Sequence, residues 1–264
     1  MKSTPPGKLL TLASLATLLG ALAASGRAEV REEFHQTYPL NKQGRVHLEN
    51  VNGNVRVITW DREEIKLDAT KRAKKQEHLD EVKIEVDAKP DRIRIKTKHP
   101  DSKTRRDKNN STSVEYTLTV PRSCHLDGVS TVNGGIEIEK VSGDVKANSV
   151  NGQVKAVGLS GDVALSTVNG SVKASFAELK KDASLKSVNG GVTITLPPEA
   201  NADVSASTLH GGISSDFSLK TKKHFPVGQN LDGKLGEGGP RIEMSTVNGG
   251  IRIDRSKTVA LGDR

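Results

Sequence analysis

From Leu126 onward, apolar and polar residues alternate in short runs. Ile136 and Ile138 flank Glu137, Val145 and Ala147 flank Lys146, and Val154 and Ala156 flank Lys155. The pattern continues with Val163 and Leu165, Val172 and Ala174 around Lys173, Val192 and Ile194 around Thr193, and Val204 and Ala206 around Ser205. It closes with Ile242 and Met244 around Glu243 and Ile251 and Ile253 around Arg252. A period of two places successive side chains on opposite faces of a strand, so each run predicts a short strand with one dry face and one wet face. Between the runs one turn signal keeps returning, Asn-Gly at 52, 133, 151, 169, 189 and 248, usually as Ser/Thr-Val-Asn-Gly. Asn133, Asn151 and Asn169 are spaced by 18 residues, and Ser142-Gly143 and Ser160-Gly161 halve those intervals. Further on the spacing loosens to 20 and 21, and His210-Gly211-Gly212 stands where Asn-Gly is expected.

Residues 29–125 alternate less regularly. Arg45–Glu49, Asn54–Val57, Val82–Val86, Arg92–Lys96 and Val114–Val120 read as strands, the last stopped by Pro121, which has no N–H to give to a ladder. Lys71–Asp80 is charged and fits one helical turn or a loop, and residues 99–113, without an apolar side chain, read as a loop. Its cations Lys103, Arg105, Arg106 and Lys108 could attract an anion, but a solvated tip partly balanced by Asp101 and Asp107 accounts for them as well.

Two all-β arrangements accommodate the repeat. Asn-Gly is the favoured pair of a two-residue type I′ hairpin, which would give a meander. Alternatively each unit of 18–21 residues is one coil of two short strands, and coils stack as a solenoid. Equal units with the same apolar residue at the same place favour stacking, because each coil must match its neighbour. The asparagines would then run as a ladder along one edge, with glycines taking positive φ at the corners, and Ile251–Ile253 would be the last rung. A coil with four small apolar side chains cannot offset the ordering of its own backbone, so coils would stand only together and with capped ends.

Composition adds an address and limits the chemistry. Only 3% of the 264 residues are aromatic, which fits a thin aliphatic core and argues against a nucleic-acid surface built on stacking. Lys2 and Lys8 precede an apolar run, Leu9–Ala24, too short for a convincing membrane span, and Gly26-Arg27-Ala28 offers a cleavage site; residues 1–28 read as a signal peptide. The chain is thus expected to be exported, periplasmic or at the cell surface, with no transmembrane segment after cleavage. Without Lys2, Lys8 and Arg27 the formal charge falls from +8 to +5, a mild attraction for anionic envelope polymers or lipid headgroups.

The unit Thr131–Ile138 followed by Val141–Val145, the run Thr117–Pro121 leading into it, and the closing Ser245–Ile253 resemble the DUF4097 putative-adhesin family. That resemblance extends over residues 30–254. It implies a single-domain, right-handed β-solenoid of the toast-rack kind spanning residues 29–254, with a less regular portion at 29–125, glycine-turn repeats at 126–254, and a tail at 255–264. It implies an extracytoplasmic location and no established catalytic residues.

Candidate chemistry is sparse. Cys124 is the only cysteine, so no internal disulfide exists, and it reads as a small buried residue. None of the seven histidines has a partner four residues on, and His210 reads as a substitute for asparagine in the turn. Asp144 and Asp162 occupy equivalent places and would stack, but two carboxylates fall short of the six to eight oxygens calcium takes. Gly236–Gly239 lacks the strand-to-helix context of a phosphate cradle. No catalytic, metal or cofactor residue is assigned. The sequence favours a non-catalytic scaffold presenting a repetitive β surface to an envelope polymer, a lipid surface or a protein. An envelope-stress sensor with a membrane partner is the alternative, and a polysaccharide-active enzyme is less favoured.

Overall fold

The computed structural model describes residues 29–100, 111–219, 221–223 and 228–256. The signal peptide expected at 1–28, the cations Lys103, Arg105, Arg106 and Lys108, and the tail from 257 lie outside these residues.

The chain begins with β1 (Val30–Pro39), β2 (Arg45–Glu49), β3 (Val55–Trp60) and β4 (Glu64–Ala73), followed by α1 (Gln76–Glu81). Next come β5 (Lys83–Lys89), β6 (Arg92–Lys98), β7 (Ser113–Pro121), β8 (His125–Asn133) and β9 (Ile136–Glu139). The regular region supplies β10 (Val145–Asn151), β11 (Val154–Leu159), β12 (Val163–Asn169), β13 (Val172–Phe176), β14 (Ala183–Asn189) and β15 (Val192–Leu196). The chain ends with β16 (Ala202–His210), β17 (Ile213–Ser215), β18 (Thr221–Lys223), β19 (Gln229–Leu235), β20 (Arg241–Asn248) and β21 (Ile251–Arg255).

Two sheets result. Sheet A runs β1-β4-β7-β3-β9-β11-β13-β15-β21-β17, and sheet B runs β18-β19-β16-β20-β14-β12-β10-β8-β2-β6-β5. Each Asn-Gly joins a strand of sheet B to the next strand of sheet A, and the strands of successive units pair in parallel within each sheet. The arrangement is therefore the stacked one, and the two-residue hairpin does not occur at these turns. The reason is in the inner faces. Val163 and Leu165 of sheet B and Val172 and Ala174 of sheet A are all buried in one core that continues from Leu40 to Ile253. A hairpin would leave such a unit in a single sheet, with its dry face uncovered.

The repeated tetrapeptide has a physical reading position by position. The Ser or Thr is buried, and its hydroxyl donates to the carbonyl of the corner glycine one rung back. Ser149 bonds Gly134 at 2.8 Å, Thr167 bonds Gly152 at 2.8 Å, and Ser187 bonds Gly170 at 2.9 Å. Each asparagine amide donates to the side-chain oxygen of the asparagine one rung back, from Asn133 on Asn52 (2.7 Å) to Asn248 on Asn189 (2.8 Å). The expected ladder is present. The glycine requirement has two origins: the positive φ expected is present at some corners, and close approach of the backbone one rung back operates at all of them, from Gly53 to Gly249. A Cβ on Gly152 would lie 2.0 Å from the carbonyl oxygen of Gly134, and one on Gly170 would lie 2.2 Å from that of Gly152. Gly53 at φ 121°, Gly170 at φ 159° and Gly190 at φ 155° combine both reasons.

Rung order departs from chain order at both ends. The rung β2–β3 sits between β6–β7 and β8–β9, and β20–β21 sits between β14–β15 and β16–β17. Ile251–Ile253 is thus an interior rung, and the outermost parallel strand of sheet A is β17. The ends are finished by antiparallel pairing: β4 on β7 with β1 on β4, β5 on β6, and β19 on β16. The charged stretch at 71–80 resolves into the end of β4 and the start of α1, a helix of six residues that buries His78 and Leu79. Among the described residues no helix is long and apolar enough to cross a membrane.

Candidate functional site

The outward residues of each strand form rows, because parallel pairing puts equivalent positions side by side at about 4.8 Å. On sheet A one row runs Arg56, Glu137, Lys155, Lys173, Thr193, Arg252 and Ser214. Around its second half lies an open trough of about 880 Å³. Gly191, Gly250 and Gly212 form one side and contribute no side chain, whereas Thr195, Ser175 and Asp254 line the other. The cations Lys155, Lys173 and Arg252 rise from the row between them. Lys155 is held by Glu137 at 2.8 Å, and Arg56 by Glu139 at 2.7 Å. Lys173 and Arg252 form no ion pair among the described residues.

These cations meet because β21 is inserted beside β15. If the rungs had followed chain order, Arg252 would stand at the end of the stack, away from Lys173. The period-two pattern shows both side chains facing water but not their shared face, so the trough has no signature in the sequence.

On sheet B the residue just before the first buried position forms a different row. Asp144 and Asp162 stack as anticipated, and Asp182 adds a third carboxylate, because Val145, Val163 and Ala183 are in register. The row is occupied by local chemistry. Asp144 accepts from Lys181 Nζ at 2.9 Å and from the Asp162 backbone N–H at 3.0 Å, and His125 Nδ1 lies 3.2 Å from its carboxylate. Burial pulls the Asp144 carboxyl upward, but Lys181, the Asp162 amide and His125 bring it below the usual range. Asp162 is raised, first by burial and then by Asp144 and Asp182. Asp182 accepts from the Arg241 backbone N–H at 2.8 Å. Among the described residues no three His, Cys, Asp or Glu side chains are grouped so as to hold a metal ion.

The remaining candidates fall to structural roles. Cys124 is fully buried, and burial pushes its thiol up to about 12. His210 pairs in register with Asn248 and so occupies the asparagine position of the outermost rung. The turn at Gly236–Gly239 spends its amides on its own neighbours. The Glu237 N–H bonds Asn201 Oδ1 at 2.8 Å, and the Gly239 N–H bonds Asp203 Oδ2 at 3.3 Å. Sequence reasoning passed over one exposed feature, the valine of the tetrapeptide. Val132, Val150, Val168, Val188, Val247 and Leu209 are 36–48% exposed and stack along sheet B beside the asparagine ladder. Repeated pairing of β-branched neighbours across strands accounts for their recurrence.

Residues 125–254 match the family model Toastrack DUF4097. The repeat region belongs to the Toastrack DUF4097 family. The match begins at β8, so residues 29–124 lie outside it although their strands continue the same two sheets. No curated protein matches the chain. Among solved structures, the chain is similar to a putative cell adhesion protein from Clostridium sporogenes ATCC 15579, with 12% identity, 85% of this chain and 100% of that chain covered, and a TM-score of 0.48. It is also similar to a putative adhesin from Bacteroides fragilis NCTC 9343, with 13% identity, 85% and 97% covered, and a TM-score of 0.41. A putative lipid binding protein from Parabacteroides distasonis ATCC 8503 aligns at 11% identity, 85% and 97% covered, and a TM-score of 0.29.

Proposed function

We propose that this Toastrack protein is an exported, non-catalytic binding scaffold of the cell envelope that presents rows of identically spaced side chains to an envelope component. The observation that carries the reading is the construction of the stack. The repeated tetrapeptide is spent on holding rungs together, through hydroxyl, amide and close backbone contacts. The outward positions are left to vary in charge and size, and they do: Lys155, Lys173, Thr193 and Arg252 share one row. Such a surface suits a ligand that is itself extended. The Lys2, Lys8 and Leu9–Ala24 pattern supports export, with residues 29–254 acting as one unit.

The test is capture of envelope fractions on the full chain, recovered in its processed form from expressing cells, across a salt series. Retention of one polymer or lipid that fades as salt rises supports the scaffold reading, because screening weakens exposed charge contacts. Salt-resistant retention of a single membrane protein replaces it with the sensor alternative, and retention of nothing removes it.

A further inference from the structure

We infer that the trough on the outer face of sheet A is a binding site for an extended polysaccharide carrying carboxylate or phosphate groups. The inference rests on the scaffold reading and names the ligand class and the place. Its basis is the charge balance along the row. In the first half each cation is answered on the protein: Arg56 by Glu139 at 2.7 Å and Lys155 by Glu137 at 2.8 Å. In the second half Lys173 and Arg252 are exposed and form no ion pair among the described residues, Asp254 acting on Arg252 only at longer range. They are two rungs apart, with Thr193 on the rung between, so their backbones are separated by about 10 Å. Two cations whose backbones are anchored at that separation can each meet a separate anionic group along one extended chain.

The walls match the same ligand. Gly191, Gly250 and Gly212 leave the side nearest the asparagine corner bare, so a chain can lie close to the backbone. Ser175, Thr193 and Thr195 offer hydroxyls that can give and take hydrogen bonds with sugar hydroxyls. Asp254 lines the same trough beyond Arg252, and its negative charge directs an anionic chain toward the glycine side. No aromatic side chain lines the trough, so stacking on a neutral sugar cannot supply the affinity and charge must. The site is a concavity running across the strands. That shape seats a single chain, whereas the flat headgroup layer of a membrane would reach only its rims.

The probe is polygalacturonate, with its methyl ester as the same backbone without charge and phosphatidylglycerol vesicles as an anionic surface. Binding is measured to the full chain, to the double variant Lys173→Ala, Arg252→Ala, and to the double variant Arg94→Ala, Lys146→Ala. The last removes two exposed cations from sheet B and leaves the same net charge. All four side chains are outward-facing, so the melting temperature of each variant should stay near that of the parent. Polygalacturonate is expected to bind, the methyl ester to bind at least tenfold more weakly, and the sheet A variant to lose at least tenfold while the sheet B variant loses less than twofold. Equal loss in the two variants, equal binding of the ester, or vesicle binding that depends on Lys173 and Arg252 without polygalacturonate binding would overturn the inference. Absence of polygalacturonate binding while envelope capture persists also overturns it, and leaves the scaffold reading standing. Loss of all envelope capture removes both.

Discussion

Each residue of the repeated tetrapeptide has its own contact, and those contacts differ in what they tolerate. Gly152 and Gly212 look alike in sequence, each in a turn before a strand. A Cβ on Gly152 would meet a backbone carbonyl oxygen at 2.0 Å, whereas one on Gly212 meets nothing within 4 Å. Gly152→Ala is therefore expected to cost at least about 2 kcal/mol and Gly212→Ala within about 0.5 kcal/mol, read by urea unfolding. Comparable losses would refute the close-approach account of the corner. The aspartate row gives a pH prediction of definite sign. Asp162 ionises later in the fold than in the unfolded chain, because burial and the charges of Asp144 and Asp182 oppose its charge. Folded stability is therefore reduced as pH rises from the ordinary carboxylate value through the raised one, and it stays reduced at neutral pH. Asp162→Asn should raise the melting temperature slightly at pH 7, by an amount worth less than about 0.5 kcal/mol, and leave it unchanged at pH values where the carboxyl is protonated in both states. Asp144→Asn should do the opposite at pH 7, since Lys181, the Asp162 amide and His125 favour its charged form. Melting curves of both variants at the two pH values decide the matter. At this scale the sequence was informative: buried and exposed positions from Ile136 to Ile253 follow the alternation, and the asparagine ladder follows the spacing. The corner glycines were located, and the positive φ expected of them holds at Gly53, Gly170 and Gly190, but the close approach that operates at every corner was not legible, since spacing alone does not show how near the next backbone comes.

Strands are where chain order stopped being a guide. The rungs from β8–β9 to β14–β15 and the rung β20–β21 present a similar buried pair and the same Ser/Thr-Val-Asn-Gly corner, so these rungs can stack on one another in more than one order, and the pattern is degenerate in order. What separates β16–β17 from the rungs before it is the antiparallel β19, which covers the far edge of β16 and makes it an end piece. The gap between β14 and β16 is then filled by β20, parallel to both. The trough inherits its illegibility from this step, because Arg252 reaches Lys173's face only through the insertion. The insertion also predicts how the end fails. Ile242 is fully buried on β20, and Ile242→Asp places an unpaired charge where none is answered. Rungs that touch only their neighbours unfold from the weakened point. Hydrogen exchange of this variant should show β16 and β19 amides losing protection together with β20 and β21, whereas β10–β13 remain protected. Loss of protection throughout would mean that the inserted rung is required by the whole stack.

Whether the molecule opens as a unit can be read from a single atom. Cys124 lies between β7, at the end where rung order is rearranged, and β8, where the regular rungs begin. Its side chain is fully buried, and burial pushes the thiol up to about 12, so at neutral pH the folded protein offers neither access nor thiolate. A carbon on Gly143 would strike the Cys124 carbonyl oxygen at 2.1 Å, which shows how closely the following rung covers this position. Exposure of the sulfur therefore requires the neighbouring strands to separate. Residues 29–124 lie outside the family match, yet β2 pairs in parallel with β8, and β3 with β9, through the same kind of ladder that joins the repeats. One core continues across the boundary. If that continuity governs stability, labelling of Cys124 by a thiol reagent at pH 7 should be negligible in the folded protein and should rise with urea along the same curve as the loss of strand circular dichroism. Labelling that precedes the loss of strand signal would show that the stack parts at the junction first, with the family-matched repeats remaining folded after the earlier rungs have gone.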